Sequence, residues 1–327
     1  MNAPLVTSGP PLPPPAPSAA PAEPSAAPAP LPPAPTPPPS TRGGPDVRAV
    51  AVATAWWTVA TVAGLALVAY LVGPLTAARE QRDLLRALRE DVSQAVGAVS
   101  DSLLGAPPVT RSPAVGDAVA LLQVGRLDLQ QVVMEGVDPS RTRTAPGHLP
   151  GTAGLGQPGN CVLAGRRAMY GRSFARVQEL RVGDEVVATT TQGQSLYVVQ
   201  SVTRSVRVTD AVADASPDDR LTLVTSASRL PWSSDRGTVV VAELKTRPFT
   251  PSPQNGRAGG QEGRSNDSSA LPLVALCALA YTGTAVLATM LYRRWSVLAT
   301  YVVTTPALVA LLIFTALAAS SLLPAWS

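Results

Sequence analysis

Side chains that could carry acid–base or nucleophilic chemistry are scarce in this sequence. His148 is the only histidine, and the two cysteines are Cys161 and Cys277. Cys161 lies in a strand-like apolar run, where a thiol is buried and unreactive, and Cys277 lies inside a long uncharged stretch. We therefore predict no disulfide between the two cysteines, and we expect His148 to satisfy a turn or pack locally rather than to act as a base.

The charge pattern argues against nucleic acid as a partner. The formal net charge is +4, and no run of basic residues marks a nucleic-acid surface. One acidic loop contains Asp210, Asp214, Asp218 and Asp219. We interpret it as a solvated turn, with a calcium site as the alternative. Nothing else in the sequence predicts a metal ion or a cofactor.

Three stretches with almost no charge are long enough to cross the hydrocarbon core of a membrane as helices. They are residues 47–78, 269–292 and 295–323. Arginines precede the first stretch or lie at its start, and others separate the second stretch from the third: Arg42, Arg48, Arg293 and Arg294. Because arginine-rich loops face the cytoplasm, both clues predict a multi-pass plasma membrane protein with a cytoplasmic N-terminus. The same rule places residues 79–267 and the C-terminus outside the membrane.

The segments that flank these stretches are a tail, a stalk and a linker. Residues 1–46 are rich in proline and alanine, which predicts a disordered cytoplasmic tail, with recognition by proline-reading domains as the alternative. Residues 79–106 form an amphipathic helix whose apolar residues recur three or four apart: Leu85, Leu88, Val92, Val96, Val99 and Leu103. We interpret it as a stalk packing on its own domain, with self-association through residues 79–104 as the alternative. Residues 247–268 predict a flexible linker.

Residues 112–246 change character, because short β-rich runs alternate with Gly, Pro, Asp and Asn turns. The predicted strands are residues 119–124, 127–134, 160–165, 185–190, 195–208, 221–226 and 238–244. One helical piece is predicted at residues 173–180. Many short strands at regular spacing predict a closed barrel or a sandwich, so the predicted fold class is mainly β with three transmembrane helices.

Four segments of this domain resemble motifs of the sortase family. Residues 146–152, Pro-Gly-His-Leu-Pro-Gly-Thr, are similar to the segment before the catalytic histidine, and residues 159–165, Gly-Asn-Cys-Val-Leu-Ala-Gly, to the strand that leads into it. Residues 174–186 resemble the next helix and strand, and residues 221–226 the strand that ends at the nucleophile. The resemblance implies a closed eight-stranded β-barrel and an actinobacterial or similar Gram-positive source. In the family this barrel hosts a cysteine transpeptidase that cuts a sorting signal and joins the protein to cell-wall or pilus acceptors.

The same resemblance locates a catalytic site with two replaced residues. Carried over by motif, the cysteine position is Ser226, the histidine position is Arg166 and the arginine position is Arg236. A serine hydroxyl is a poor nucleophile without a neighbouring base, and arginine stays protonated at ordinary pH. If Arg166 and Arg236 converge, they would form a doubly cationic groove for a carboxylate or a phosphate. An idle site is the alternative.

Two classes of function follow from these replacements. The first is a catalytically inactive pseudo-sortase of the cell envelope, a binding or assembly component whose partners are other membrane or cell-wall proteins. The alternative is an active sortase-type transpeptidase or hydrolase that uses Ser226 as its nucleophile. That alternative requires a base near Ser226 that is neither histidine nor lysine, such as a carboxylate.

Overall fold

The computed structural model describes residues 47–101, 113–208, 218–228, 236–252, 270–291 and 297–323. The proline-rich tail and most of the predicted linker lie outside these residues. The chain begins, in the described part, with one continuous helical rod: α1 (Val47–Leu67), a π-helical segment (Val68–Val72) and α2 (Gly73–Asp101). The predicted first membrane span and the predicted stalk are therefore joined without a break.

A closed barrel of eight strands follows the rod, which confirms the predicted fold class. The strands and one short helix are β1 (Ala118–Val124), β2 (Leu129–Glu135), α3 (Pro139–Thr142), β3 (Gly147–His148), β4 (Asn160–Ala164), β5 (Glu185–Thr190), β6 (Gly193–Arg207), β7 (Arg220–Ser226) and β8 (Arg236–Leu244). Around the barrel they pair in the order β1-β2-β3-β4-β7-β8-β6-β5. Because β4 and β7 run parallel, with Ala164 opposite Val224, the residues that follow these two strands meet at one end of the barrel.

The predicted helix at residues 173–180 is wrong. The structure has turns there and a single 3-10 turn, Val177–Glu179. Its buried side chains, Phe174, Val177 and Leu180, recur every third residue, which is the period of a 3-10 helix. Packing of these side chains into the barrel therefore decides the conformation of a segment too short to form a stable α-helix alone. The two-residue strand β3 was not predicted, because two residues carry no readable alternation.

Alternating side chains divide the barrel strands between two apolar clusters. The interior core includes Leu122, Leu163, Tyr197, Leu223 and Val240, each no more than 1% exposed. A second cluster lies on the other face of β4, β7 and β8, and we call it the outer cluster: Val162, Val208, Val224 and Val239, with Leu149, Val206 and Val241 packed against it.

The stalk helix packs on its own barrel, as one of the two interpretations expected. Leu88 is 3% exposed, and Gln81 donates a hydrogen bond to Val132 O (3.1 Å) and accepts one from Val132 N (2.8 Å). Gln81 is thereby fixed to the backbone of β2. Val96 is 60% exposed, while the side chains of Val99 and Leu103 lie outside the described part of the chain. Self-association of this helix stays a prediction.

Two further helices follow the barrel, α4 (Leu271–Leu291) and α5 (Val297–Ser320). Together with the rod, they make three helices long and apolar enough to cross a membrane. The three pack against one another: Thr61 Oγ1 lies 3.0 Å from Tyr281 Oη of α4, and Gly64 lies against Leu312 of α5. A glycine at position 64 allows this approach, because any Cβ there would overlap the leucine side chain.

Candidate functional site

Ser226 ends β7 at the edge of the outer cluster. Strand alternation puts its side chain on the same face as Val224, and only 1% of the residue is exposed. The Ser226 Oγ accepts a hydrogen bond from Ser228 N (3.3 Å). Across the described residues, no carboxylate, histidine or lysine is hydrogen-bonded to this hydroxyl. Among the described residues, Ser226 therefore lies beside an apolar cluster with no base hydrogen-bonded to its hydroxyl.

Arg166 follows β4 and is completely buried. Its Nη2 donates to Pro139 O (2.8 Å) and to Ser320 O (3.0 Å), and its guanidinium lies over the ring of Tyr170, 5.4 Å from the centroid. Burial lowers the pKa of Arg166 to about 10, so the group remains a cation at neutral pH. Arg166 thus cannot accept a proton, and its donors point towards α3 and α5.

Arg167, the next residue along the chain, binds the backbone at the end of β7. Its Nη1 donates to Ser226 O (3.3 Å) and, through a shorter contact, to Ala227 O. The two consecutive arginines therefore hold different elements: Arg166 the end of α5, and Arg167 the backbone at the end of β7. A hydrogen bond from Gly165 N to Val224 O (3.0 Å) keeps the start of this loop against β7.

Arg236 opens β8, with Gly237 opposite Ser226. Its backbone carbonyl accepts from Ala227 N (3.1 Å), but its side chain is exposed and donates to Ser205 O (3.3 Å) on β6. Arg166 and Arg236 therefore engage different elements and share no partner. The doubly cationic groove is not formed, because the Arg166 guanidinium is enclosed by protein carbonyls and the Tyr170 ring.

His148 is buried, and both of its ring nitrogens are engaged within the barrel. Its Nδ1 lies 2.7 Å from Glu135 Oε2 and its Nε2 lies 2.9 Å from Ala153 O, so both ring nitrogens face acceptors. Burial by itself would lower the pKa of His148, but hydrogen bonds and charge from Cys161 and Glu135 outweigh it and raise the pKa well above 6.5. Because both ring nitrogens are directed at groups of the protein, neither is left facing a substrate. His148 joins β2 to β3 instead.

Cys161 and Asp219, two further candidates for chemistry, contribute to the structure of the barrel. Cys161 is fully buried in the interior core, and both cysteines are free, as predicted. Asp219 accepts a hydrogen bond from Gly159 N (2.8 Å), which ties the start of β7 to β4. Asp210 and Asp214 lie beyond the described residues. Within those residues, no group of three potential metal ligands occurs.

Sequence reasoning missed the residues that surround Arg166. Tyr170, Arg143 and Ser320 come from three distant parts of the chain and meet only in the fold. Glu135 was missed as well, although one signal for it existed: a lone buried histidine needs acceptors, and a carboxylate in a neighbouring strand is the strongest available.

Comparison with known proteins agrees with this architecture. Residues 122–245 match the family model described as the sortase domain. Sortase E from Streptomyces avermitilis is 30% identical, over 41% of this chain and 93% of its own, with a TM-score of 0.36. A sortase D5 transpeptidase from Clostridium perfringens is 21% identical, over 51% of this chain and 98% of its own, with a TM-score of 0.42. No curated protein matches the chain.

The family assignment rests on the barrel. The family model spans β1 to β8 almost completely. The strand order and the parallel pairing of β4 with β7 set the ends of these two strands side by side, where the motifs place the catalytic positions. Through residues 122–245, this chain belongs to the sortase family.

Proposed function

We propose that this protein is a catalytically inactive sortase-like protein that acts as a binding or assembly component of the cell envelope. One observation carries the proposal: at the histidine position, Arg166 is fully buried and bound to Pro139 O and Ser320 O. A sortase needs an ionisable acid at this place, and a permanently charged donor locked onto two carbonyls cannot exchange a proton with substrate.

The surroundings of Ser226 support the same conclusion. Among the described residues, the hydroxyl is hydrogen-bonded to the amide of Ser228, and the sole histidine of the chain is engaged with Glu135 and Ala153. Activation of serine requires a base within hydrogen-bond reach. The barrel therefore has the closed eight-stranded architecture of the sortase fold, and on this proposal it lacks the proton transfers that sortase chemistry needs.

The orientation in the membrane is part of the proposal. Arg42, Arg48, Arg293 and Arg294 favour a cytoplasmic location for the start of the first helix and for the connection between α4 and α5. Contacts support a single orientation of the bundle, because Tyr170 of the barrel touches both Ala69 of the rod and Ala316 of α5. The barrel then stands outside the membrane, at the cell envelope.

Active catalysis through Ser226 is the second candidate. One observation favours it: Ser226 lies at the end of β7, beside the outer cluster. The base would have to be a carboxylate, and Asp210, Asp214 and Asp235 belong to neighbouring segments beyond the described residues. This candidate predicts hydrolysis or transfer of a peptide that depends on Ser226.

A turnover assay separates the two candidates. The full chain in nanodiscs is incubated with a panel of sorting-signal peptides and hydroxylamine as acceptor, alongside Ser226→Ala and an active sortase as positive control. We expect no cleavage above the Ser226→Ala background for any peptide. Turnover that is lost in Ser226→Ala would overturn the proposal of an inactive enzyme.

The assembly role has its own test. The full chain is purified from its native membranes after cross-linking, and co-purifying proteins are identified against a tagged unrelated membrane protein. We expect membrane or cell-wall proteins to be enriched. Recovery of this chain alone would contradict an assembly role while leaving the absence of catalysis untouched.

A further inference from the structure

The loop that contains Arg166 makes the contact between the barrel and the membrane helices. We call residues 166–172 the dock loop. On one side it meets the carboxyl end of α5, and on the other it meets the π-helical segment of the rod. These contacts involve backbone and side-chain atoms, and none of them belongs to sortase chemistry.

The carboxyl end of α5 is bound by three side chains of the barrel. Arg166 Nη2 donates to Ser320 O (3.0 Å), Arg143 Nη1 to Ser320 Oγ (3.2 Å), and Tyr170 Oη to Ala316 O (2.8 Å). The last four carbonyls of a helix, which here include Ser320 O, have no α-helical partner, and they carry the negative end of the helix dipole. Two guanidinium groups stacked on the Tyr170 ring, 5.4 and 5.9 Å from its centroid, match that end in charge and in hydrogen bonding.

The π-helical segment provides the second contact. In it, Gly73 N bonds to Val68 O instead of to Ala69 O, which leaves the Ala69 carbonyl available. Tyr170 N donates to that carbonyl (2.7 Å). Gly73 has no side chain, and a Cβ there would lie 2.8 Å from Tyr170 Cα. The Ala69 carbonyl of the π-helical segment and the missing side chain at Gly73 therefore allow the backbone of Tyr170 to lie directly against the rod.

The backbone of the dock loop is strained in the way expected of a binding element. Met169, Tyr170 and Arg172 have φ of 65°, 49° and 49°, which side chains other than glycine rarely adopt. Such residues persist only where surrounding contacts hold them, and they cluster at clamps and switch regions. Tyr170 is held by Ala69 of the rod and Ala316 of α5, and the backbone that follows it is held by a hydrogen bond from Gly171 N to Arg143 O.

We infer that the dock loop, together with Arg143, is a binding site for the carboxyl end of a membrane helix, occupied by α5 of the same chain. In this chain, the position that resembles the catalytic histidine of sortases serves helix binding. The α4–α5 hairpin is then a bound partner of the barrel and more than a second anchor. This inference stands whether or not Ser226 is active.

The dock also connects α5 to the site at Ser226. Arg166 holds Ser320, and the adjacent Arg167 holds the carbonyls of Ser226 and Ala227. A displacement of α5 would move Arg166. Because one peptide bond joins Arg166 to Arg167, that movement would be passed on to the end of β7. A partner that binds the hairpin therefore has a direct route to the outer cluster.

Hydrogen exchange of the full chain in nanodiscs tests the dock. Exchange is followed in peptides that cover residues 166–172 and 316–323, for the parent chain and for Arg166→His and Tyr170→Phe. Opening of a dock exposes both sides together, so exchange rises in both peptides if the two sides bind each other. We expect an increase of about tenfold or more for Arg166→His and of about two- to tenfold for Tyr170→Phe, because a charged hydrogen bond contributes more than a neutral one.

Arg176→Ala is the matched control, because this arginine binds Leu127 O and Glu179 within the barrel. It should leave both peptides unchanged. The peptide that covers β5 reports whether the barrel stays folded. If Arg166→His also speeds exchange in that peptide, the inference is judged from Tyr170→Phe alone. Exchange that rises in residues 166–172 but stays constant in residues 316–323 would overturn the inference, as would a parent loop that exchanges at the rate of a free peptide.

Discussion

At the scale of single residues, Arg166 and Arg167 show how one loop can serve two elements. Although they are neighbours in the chain, Arg166 is buried and donates to Ser320 O, whereas Arg167 donates to Ser226 O. Burying a cation costs free energy unless its donors are satisfied. Nε and Nη1 of Arg166 have no hydrogen-bond partner within the described residues, so the Tyr170 ring supplies their main compensation.

The buried pair of His148 and Glu135 makes the stability of the barrel depend on pH. The pKa of His148 is raised well above 6.5 in the folded chain, so the folded state holds its proton more tightly than the unfolded state does. This contribution is fully present below about pH 6.5, the unfolded pKa, and is lost as the pH rises through the folded value. We expect the melting temperature of the full chain to fall over that range.

Glu135→Gln removes the charge that His148 binds. Breaking a buried ion pair costs about 3–5 kcal/mol, so this variant should melt well below the parent at pH 6 and should depend less on pH. Glu185→Gln, at an exposed position of β5, is the matched control and should follow the parent. Equal pH profiles for the parent and Glu135→Gln would show that the pair contributes nothing.

At the scale of elements, Gln81 provides a polar contact between the rod and β2, in addition to the contact of Tyr170 with Ala69. Gln81 binds both the N–H and the C=O of Val132, and its amide also lies 3.4 Å from Thr144 O. The seam continues through Leu88. This geometry fixes the position of β2 relative to the helix that comes directly from the membrane.

Gln81→Ala should loosen the rod from the barrel. The change leaves backbone groups of Val132 and Thr144 without their partner, at a cost of about 1–3 kcal/mol. Gln94→Ala, at an exposed site on the same helix, should cost almost nothing. The measurement is protease cleavage of the barrel in nanodiscs at increasing temperature. Identical cleavage profiles for the two variants would contradict the role of Gln81.

The sequence predicted regular elements well and long-range contacts poorly. Alternating apolar residues located most barrel strands to within a few residues, and uncharged runs located α4 and α5 within about three residues at each end. The segment at residues 173–180 failed because tertiary packing of Phe174 and Val177 overrides local preference. The contacts of the dock loop could not be predicted, because Arg143, Tyr170 and Ser320 are separated by up to 177 residues and no local sequence pattern joins them.

At the scale of the whole molecule, the barrel and three apolar helices form a unit with several contacts between them. Tyr170 touches both the rod and α5, and Thr61 reaches Tyr281 of α4. A barrel attached only by its linkers would not need these contacts. The arrangement fits a protein whose barrel has a set orientation relative to the membrane surface.

The proposed orientation can be measured by labelling single cysteines in intact cells with a membrane-impermeant maleimide. Val182→Cys, at a site 68% exposed on the barrel, should be labelled without permeabilisation. Ser296→Cys, between α4 and α5, should be labelled only after the membrane is opened. The native Cys161 is buried and Cys277 lies within α4, so the parent chain gives the background. The reverse pattern would place the barrel in the cytoplasm.

Ser226 is proposed to perform no acyl transfer, and the mass of the intact protein after mixing with substrate measures this directly. A sortase-type reaction must pass through an acyl-enzyme, here an ester on the Ser226 hydroxyl. The full chain is quenched in acid at intervals after mixing with sorting-signal peptides, and its mass is compared with that of Ser226→Ala. We predict one unmodified mass for both proteins at every time point. A mass increase equal to the acyl fragment, present in the parent chain and absent in Ser226→Ala, would contradict the claim.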